Sequence, residues 1–407
     1  MSANLQAIPL GLIGVKPYIE FVVEKGFSVM EPDDTTLQDD AFSSAPSVYI
    51  DGLLLTYLAL NNRRYVSYDP STRTMTLNNA GVNEGEVVCG YHRLMLPVSL
   101  MAKDKARITD VFPEDFDYDI VNINRLWPKD DLIELRKKHG FKLVVDVDDF
   151  WILDNWHLDF DTYNQHNVDA RIIKHIREAD LVTCTHERLA ERVYPHNKNV
   201  EILPNAIPYG QNQFTSERNA SDLVRLFWAG GISHEQDLKI LKPVMKRLLN
   251  SDLKDKVQTV VGGYSDSNLT EQTIWKKMVS YFTADALLPN MAYRGLPVFE
   301  YYQMYLESDI KLIPLRKSTF NGYKSNLKIL EAAGKGIPVI VSKVNPYLGF
   351  PEDVVYYENW DKNIRALVED KDLREGKGKE LFEYCHKHFN FDAINTRRKD
   401  LFKSLCS

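Results

Sequence analysis

The chain has 407 residues, 44% of them apolar and 26% charged, with a net charge of −7. That composition fits a globular protein of two or three domains, not a disordered chain. The negative balance excludes a global basic field that would draw it to nucleic acid or anionic lipid. Its four cysteines, Cys89, Cys184, Cys385 and Cys406, are scattered with no C-x-x-C pair. This argues against a zinc site or a disulfide scaffold and suits a reducing compartment. MSANLQAIPLGLIGV lacks the basic and long apolar regions of a signal peptide, and no apolar run approaches the ~20 residues of a membrane helix. A cytoplasmic location is therefore expected, and composition leaves the oligomeric state open.

Residues 1–85 form an expected N-terminal α+β module. Within it Tyr18 to Lys25 reads as a helix, and Val48 to Leu60 is ambiguous between strand and helix. RYVSYDPSTRTMTL alternates around Asp69-Pro70-Ser71-Thr72, a hairpin signal. With Arg63, Arg64 and Arg73, such a module could contact nucleic acid. The alternative is an added domain that packs on the body of the protein. The basic cluster is small for many phosphate contacts, which favours the second.

From Glu86 the chain alternates between strand and helix patterns, the mark of βαβ units and a parallel sheet. Strands are expected at Val87–Gly90, Asp119–Asn124, Lys142–Val147, Asp180–Thr185 and Val200–Leu203, with helices at Lys129–His139, Ala170–Ala179 and Glu187–Val193. This first Rossmann-like domain is expected over 86–215. Tyr209 to Asp222 is polar and turn-rich and reads as a linker. A second alternating series, expected as a domain over 222–390, has strands at Val224–Trp228, Val257–Val261, Ala292–Gly295 and Ile310–Ile313. Its helices are expected at Glu235–Leu249 and Val298–Leu306; Val354–Tyr357, Trp360–Val368 and Leu373–His388 complete the domain, and a last helix is expected at 391–407.

Candidate chemistry gathers at strand ends. Asp146, Asp148 and Asp149 in VVDVDDFW lie where α/β proteins place their sites. Crowded carboxylates raise one another's pKa, which suits acid–base work or a metal. Asp148 and Asp149 are read as cleft residues that contact a ligand, against the simpler reading of a capping pair at a turn. Arg125 follows the strand DIVNIN and points the same way. Gly230 and Gly231 close a strand before a helix, a turn that lets backbone approach a diphosphate. They do not form G-x-G-x-x-G, so dinucleotide binding has little support.

The most informative stretch is FNGYKSNLKILEAAGKGIPVIV, residues 320–341. It reads as turn, helix and buried strand, with Ser325 as the cap and Gly334, Gly336 and Pro338 ending the helix. A helix start beside Lys324 suits a phosphate. Glu331, seven residues on, would share a helix face with Lys324 and could accept hydrogen bonds from ribose hydroxyls. The competing reading makes Lys324, Lys328, Glu331 and Lys335 a solvated face of ion pairs.

LEAAGKGIPVIV resembles the C-terminal signature of GT-B glycosyltransferases, particularly those similar to glycosyltransferase family 4. There a Glu in "lEAmA-x-G-x-PVv" holds the ribose of a nucleotide-sugar, and Glu331 matches it. The usual second Glu, eight residues earlier, is Tyr323 here. A divergent subgroup with K-S-N-x-K-x-x-E is more similar. ADLVTCTHERLAERV…VEILPNAI resembles the last unit of a GT-B N-terminal domain, and FWAGGISHEQDL the donor-phosphate loop, with His234 and Asp237 at or near its helix start. Arg294 resembles the region lining the base.

The resemblance implies two Rossmann-like domains facing a cleft, with the last helix crossing back to the first domain. It implies retaining transfer from a nucleoside-diphosphate sugar, most simply a UDP-sugar, with no metal and no further cofactor. Lys324, Ser325, Asn326 and the Gly230-Gly231 loop would hold the donor. The acceptor is not legible: a cell-surface glycan precursor, a protein, a small molecule or a hydroxymethylated base in DNA all fit. The alternatives are a non-catalytic nucleic-acid-binding or structural protein on the same shell, or a nucleotide-sugar epimerase.

Overall fold

A computed structural model describes side chains at 90–97, 116–125, 131–265, 269–296 and 301–407, and backbone alone for the strands at 18–22, 27–31, 54–57, 66–69, 74–77 and 106–109. Contacts divide the chain into two compact units. One comprises Asp39–Pro208, Tyr323–Ser325 and Phe389–Ser407; the other comprises Met1–Gln38, Tyr209–Gly322 and Asn326–His388.

The first unit holds a six-stranded parallel sheet in the order Val200–Ile202, Leu181–Cys184, Lys142–Val147, Ile120–Asn124, Leu54–Tyr57, Ala106–Thr109. Its central strands, IVNIN and KLVVDV, are buried almost throughout, as expected of a sheet covered on both faces. The helix Val168–Glu178 buries Val168, Ile172, His175 and Ile176, the i, i+4, i+7, i+8 stripe of an amphipathic helix.

The second unit holds an eight-stranded sheet, Tyr18–Val22, Phe27–Glu31, Asn290–Arg294, Val257–Tyr264, Val224–Ala229, Ile310–Ile313, Val339–Val341, Tyr356–Tyr357. All pairings are parallel except the first, an antiparallel hairpin. The core on one side of this sheet packs Trp228 against Trp275, with Leu238, Leu241, Met245, Met278 and Phe282 fully or almost fully buried. Each such side chain contributes roughly 1.5–3 kcal/mol on burial.

Several local expectations change. Tyr18–Val22 is a strand paired with Phe27–Glu31, so the helix expected there does not form. Gly90 opens a helical turn over Tyr91–Met95, so it does not end a strand; Val87–Cys89 lie outside the described residues. The helix expected at Glu235–Leu249 is three pieces, Glu235–Leu238, Lys239–Leu241 and Lys242–Leu249. Pro243 lies in the first turn of the last piece, where its missing N–H costs nothing. Tyr301–Glu307 is 3-10, not α-helical. The helix Leu269–Phe282 carried no expectation at all.

The polar stretch after Pro208 is not a loose linker. Phe214 is fully buried against Tyr302, and the Tyr209 hydroxyl donates to Leu330 O at 2.9 Å. The expected hairpin is present as Val66–Asp69 with Thr74–Leu77. Arg63, Arg64 and Arg73, with most of the expected N-terminal module, lie outside the described residues. No helix among the described residues is long and apolar enough to cross a membrane.

Candidate functional site

In the second unit, two neighbouring parallel strands end in glycine, where α/β folds accept ligands. Val224–Ala229 leads into Gly230-Gly231, and Val257–Tyr264 carries Gly262-Gly263. Gly230 N donates to Gly262 O at 3.2 Å. Gly263 has φ +96°, and a Cβ there would stand 2.6 Å from Gly230 O. A Cβ on Gly230 would meet Lys328 Nζ at 2.9 Å and His234 Cδ2 at 3.2 Å. The turn therefore needs glycine both for close approach and for backbone conformation.

His234 follows this turn, and its Nδ1 bonds Asp237 Oδ2 at 2.8 Å. Asp237 Oδ1 accepts from Arg316 N at 2.8 Å and from Asn321 Nδ2 at 3.0 Å. Burial alone would raise this carboxyl. The His234 bond and charge, the Arg316 amide and Lys328 outweigh burial and hold it below the usual carboxylate range. Asp237 is thus ionised and fixes the imidazole orientation. Arg294, at the end of Asn290–Arg294, lies over the Tyr264 ring at 5.6 Å.

The signature helix is Leu327–Gly334, with Asn326 at its N-cap and no side-chain cap bond. Two expectations fail here. Ser325 does not cap the helix, and Lys324 precedes it, so Lys324 and Glu331 do not share a helical face. The solvated-face reading also fails: Glu331 and Lys335 are buried. The Glu331 carboxylate instead accepts from Tyr301 Oη at 3.0 Å, from Lys311 Nζ at 3.1 Å and from the Tyr305 hydroxyl. Burial pushes Lys311 down to about 8, against the opposing pull of Glu331.

In the first unit, the strands Ile120–Asn124 and Lys142–Val147 end side by side, and Arg125 N donates to Asp146 O at 2.9 Å. Asp148 Oδ1 accepts from Asn124 Nδ2 at 3.1 Å and lies 3.4 Å from Arg125 Nε. Asp149 Oδ2 lies 3.8 Å from Arg125 Nη2 and 2.7 Å from Lys324 Nζ. So Asp148, Asp149, Arg125 and Lys324 come together. Asp146 does not join them: Arg93 binds it through Nε–Oδ2 and Nη2–Oδ1, both 2.8 Å. The three carboxylates therefore do not crowd one another as expected, because each has its own cation. Among the described residues no group of His, Cys, Asp or Glu is arranged to hold a metal.

Two further groups face this cluster. The Tyr163 hydroxyl shares a hydrogen bond with Arg125, and burial raises its pKa despite that cation. His157 is pushed down by burial, with Lys324 and Arg125 adding to the effect and Asp159 and Asp149 opposing it, so it is neutral at pH 7. Tyr323 stacks on Phe150 at 4.4 Å, its hydroxyl accepts from Arg192 Nε at 2.6 Å, and its carbonyl bonds His186 Nε2 at 3.1 Å.

Sequence reasoning missed Lys328, Lys311, Tyr301, Tyr305 and Arg93 as site residues. A charged residue inside the apolar strand IKLI, and Tyr301 and Tyr305 four apart, were signals that could have been read. Arg93 carried none.

No family model matches the chain, and no curated protein matches it by sequence. Solved structures do. HepE from Anabaena, in complex with UDP and glucose, superposes with a TM-score of 0.55 at 12% identity, covering 86% of this chain and 100% of that one. The fold is GT-B. A sucrose-phosphate synthase from Thermosynechococcus elongatus matches with a TM-score of 0.53 at 14% identity, over 86% of this chain and 88% of that one. A UDP-forming trehalose-phosphate synthase from Burkholderia xenovorans matches at 0.51 and 11% identity, over 71% and 75%. At these identities the GT-B likeness is one of fold, and any chemistry must be argued from the residues.

Proposed function

We propose that the chain is a glycosyltransferase that moves a sugar from a nucleoside-diphosphate sugar to an acceptor hydroxyl. The observation that carries this reading is the pair of glycine strand ends beside the Lys328 ammonium and the His234–Asp237 pair on a GT-B fold. Backbone can reach a diphosphate there, and a cation stands next to it. UDP is the proposed nucleotide, supported by HepE, which was solved with UDP and glucose.

In this reading Gly230 and Gly231 approach the diphosphate beside Lys328, and the motif resemblance adds Lys324, Ser325 and Asn326 as donor-binding residues. Stabilising the leaving group in this way takes the place of a divalent ion. His234, fixed by Asp237, can donate from its second ring nitrogen towards an oxygen. By the motif resemblance Glu331 accepts a ribose hydroxyl, while Tyr301, Tyr305 and Lys311 hold its carboxylate in place. Arg294 lines the base. Asp148, Asp149 and Arg125 bind the acceptor or the sugar. Transfer with retention remains the expectation from the motif resemblance.

Calorimetric titration with UDP in EDTA tests the donor site, and binding without a divalent ion is expected. Loss of binding on chelation would overturn metal independence. Turnover tests the reaction class. Release of UDP that depends on an added acceptor supports transfer, whereas sugar isomerised without an acceptor indicates an epimerase.

A further inference from the structure

Among the described residues, the first unit buries one more cation than its carboxylates balance. Arg93 is fully committed: besides Asp146, its Nη1 donates to Leu203 O at 2.7 Å and Asn205 Oδ1 at 3.2 Å. Asp146 is equally committed, taking Arg93 and also Thr183 Oγ1 at 3.2 Å. Arg398, on the helix Phe391–Cys406, lies close enough to feel both charges and is only 4% exposed. Its one side-chain partner among the described residues is the Asn395 carbonyl oxygen. No carboxylate among the described residues pairs with Arg398. The other end of that amide, Asn395 Nδ2, is itself buried without a partner.

A guanidinium has five N–H donors and stays charged in proteins. Leaving it buried beside a second arginine with a single acceptor is unfavourable unless something supplies charge and oxygen atoms. Burial and the Arg93 charge push Arg398 down to about 9, with Asp146 opposing, so it is cationic at neutral pH. Next to it, Asn395 offers an unused N–H.

We propose that Arg398 and Asn395 form an oxyanion site that takes a phosphate-type group through the arginine fork. The group is either a free ion or part of a larger molecule such as a phosphorylated acceptor. Two coplanar N–H donors match two oxygens of such a group, and its charge balances the surplus cation. The inference does not depend on the glycosyltransferase reading.

Thermal unfolding of the whole chain in phosphate, against chloride at equal ionic strength and with saturating UDP, tests it. Wild type should gain about 2–4 °C at phosphate tenfold above its Kd. Arg398→Met removes the charge while keeping a long apolar stem. It should unfold at a higher temperature than wild type in chloride and gain nothing from phosphate. Arg398→Lys should fold and keep only part of the gain. A phosphate gain that survives in Arg398→Met, or is absent from wild type, overturns the proposal. So does a lower unfolding temperature of Arg398→Met in chloride, which would mean the charge already has its partner. Glucose 6-phosphate beside inorganic phosphate separates the two sources: a larger gain with the sugar phosphate assigns the site to a substrate, and an equal gain assigns it to the free ion.

Discussion

The two units face the same physical problem at the C-terminal ends of their parallel strands and handle it differently. Around its site residues the second unit holds two closed sets of buried charge. Lys311 and Glu331 neutralise each other and are tied down by two tyrosines, and Asp237 is matched by His234 and by backbone and amide donors. The first unit binds three carboxylates at the end of one strand with separate cations, Arg93, Arg125 and Lys324, and among the described residues leaves Arg398 over. A closed set holds a fixed shape, whereas a charged surplus is what the proposed oxyanion would complete.

The largest expected effect lies in the first unit. Arg93→Ala strands Asp146 as an uncompensated buried carboxylate, and breaking such a pair costs about 3–5 kcal/mol. Denaturant unfolding should show it. A loss under about 1 kcal/mol would mean water reaches Asp146, and the contrast between the units would weaken.

Glu331→Gln probes the closed set of the second unit. A hydrogen bond to a charged group is worth ~1.5–3 kcal/mol, so UDP affinity should fall roughly 10–100-fold. Wild type should discriminate against 2′-deoxy-UDP and the variant should not. Because Glu331 is buried against Lys311, stability should also fall, by about 1–3 kcal/mol. The loss is bounded because Lys311, already pushed down to about 8, can shed its proton. Unchanged UDP binding would make Glu331 purely structural.

Gly263→Ala should cost about 1–3 kcal/mol, since an L side chain at φ +96° is strained and its Cβ would press on Gly230 O. It should also weaken UDP binding by moving the Gly230 turn. Stability lost with UDP affinity intact would separate the turn from the nucleotide.

A pH profile of stability checks the buried lysines. Lys311 and Lys335 are both pushed down to about 8 by burial. Their folded values lie below the unfolded value, so between pH 8 and about 10.5 the unfolded chain holds protons that the folded chain has lost. These lysines therefore make stability rise through that window, by at most about 1.4 kcal/mol per pH unit each. Above about pH 10 the tyrosines reverse the trend, because burial raises Tyr293, Tyr302 and Tyr305 and only their unfolded forms ionise there. Stability measured from pH 7 to 11 should pass through a maximum near 9–10. A monotonic fall would contradict the buried lysines.

Much of the fold was legible because its signals are local. Apolar runs such as KLVVDV and PVIV, glycine at strand ends and the amphipathic stripe of Val168–Glu178 depend only on near neighbours in the chain. Those signals sufficed for two alternating α/β series and for Gly230-Gly231, Asp148, Asp149 and Arg125 as strand-end residues. They failed at Leu269–Phe282, whose mixed polar and aromatic composition hides its buried face, and at Lys324, which precedes the helix it was read into.

Sequence by itself determined the two parallel-sheet patterns, the glycine turns and the residue types gathered at the strand ends. Which charge meets which was decided by tertiary structure alone. Glu331 takes Lys311 from a strand instead of Lys328 on its own helix or Lys335 just after it, and Asp146 takes Arg93 from 53 residues earlier instead of the adjacent Arg125. The physical reason is burial. In water, charges four residues apart exchange only tenths of a kcal/mol, whereas in a core each must find a fully bonded partner, and only the packed chain brings that partner near.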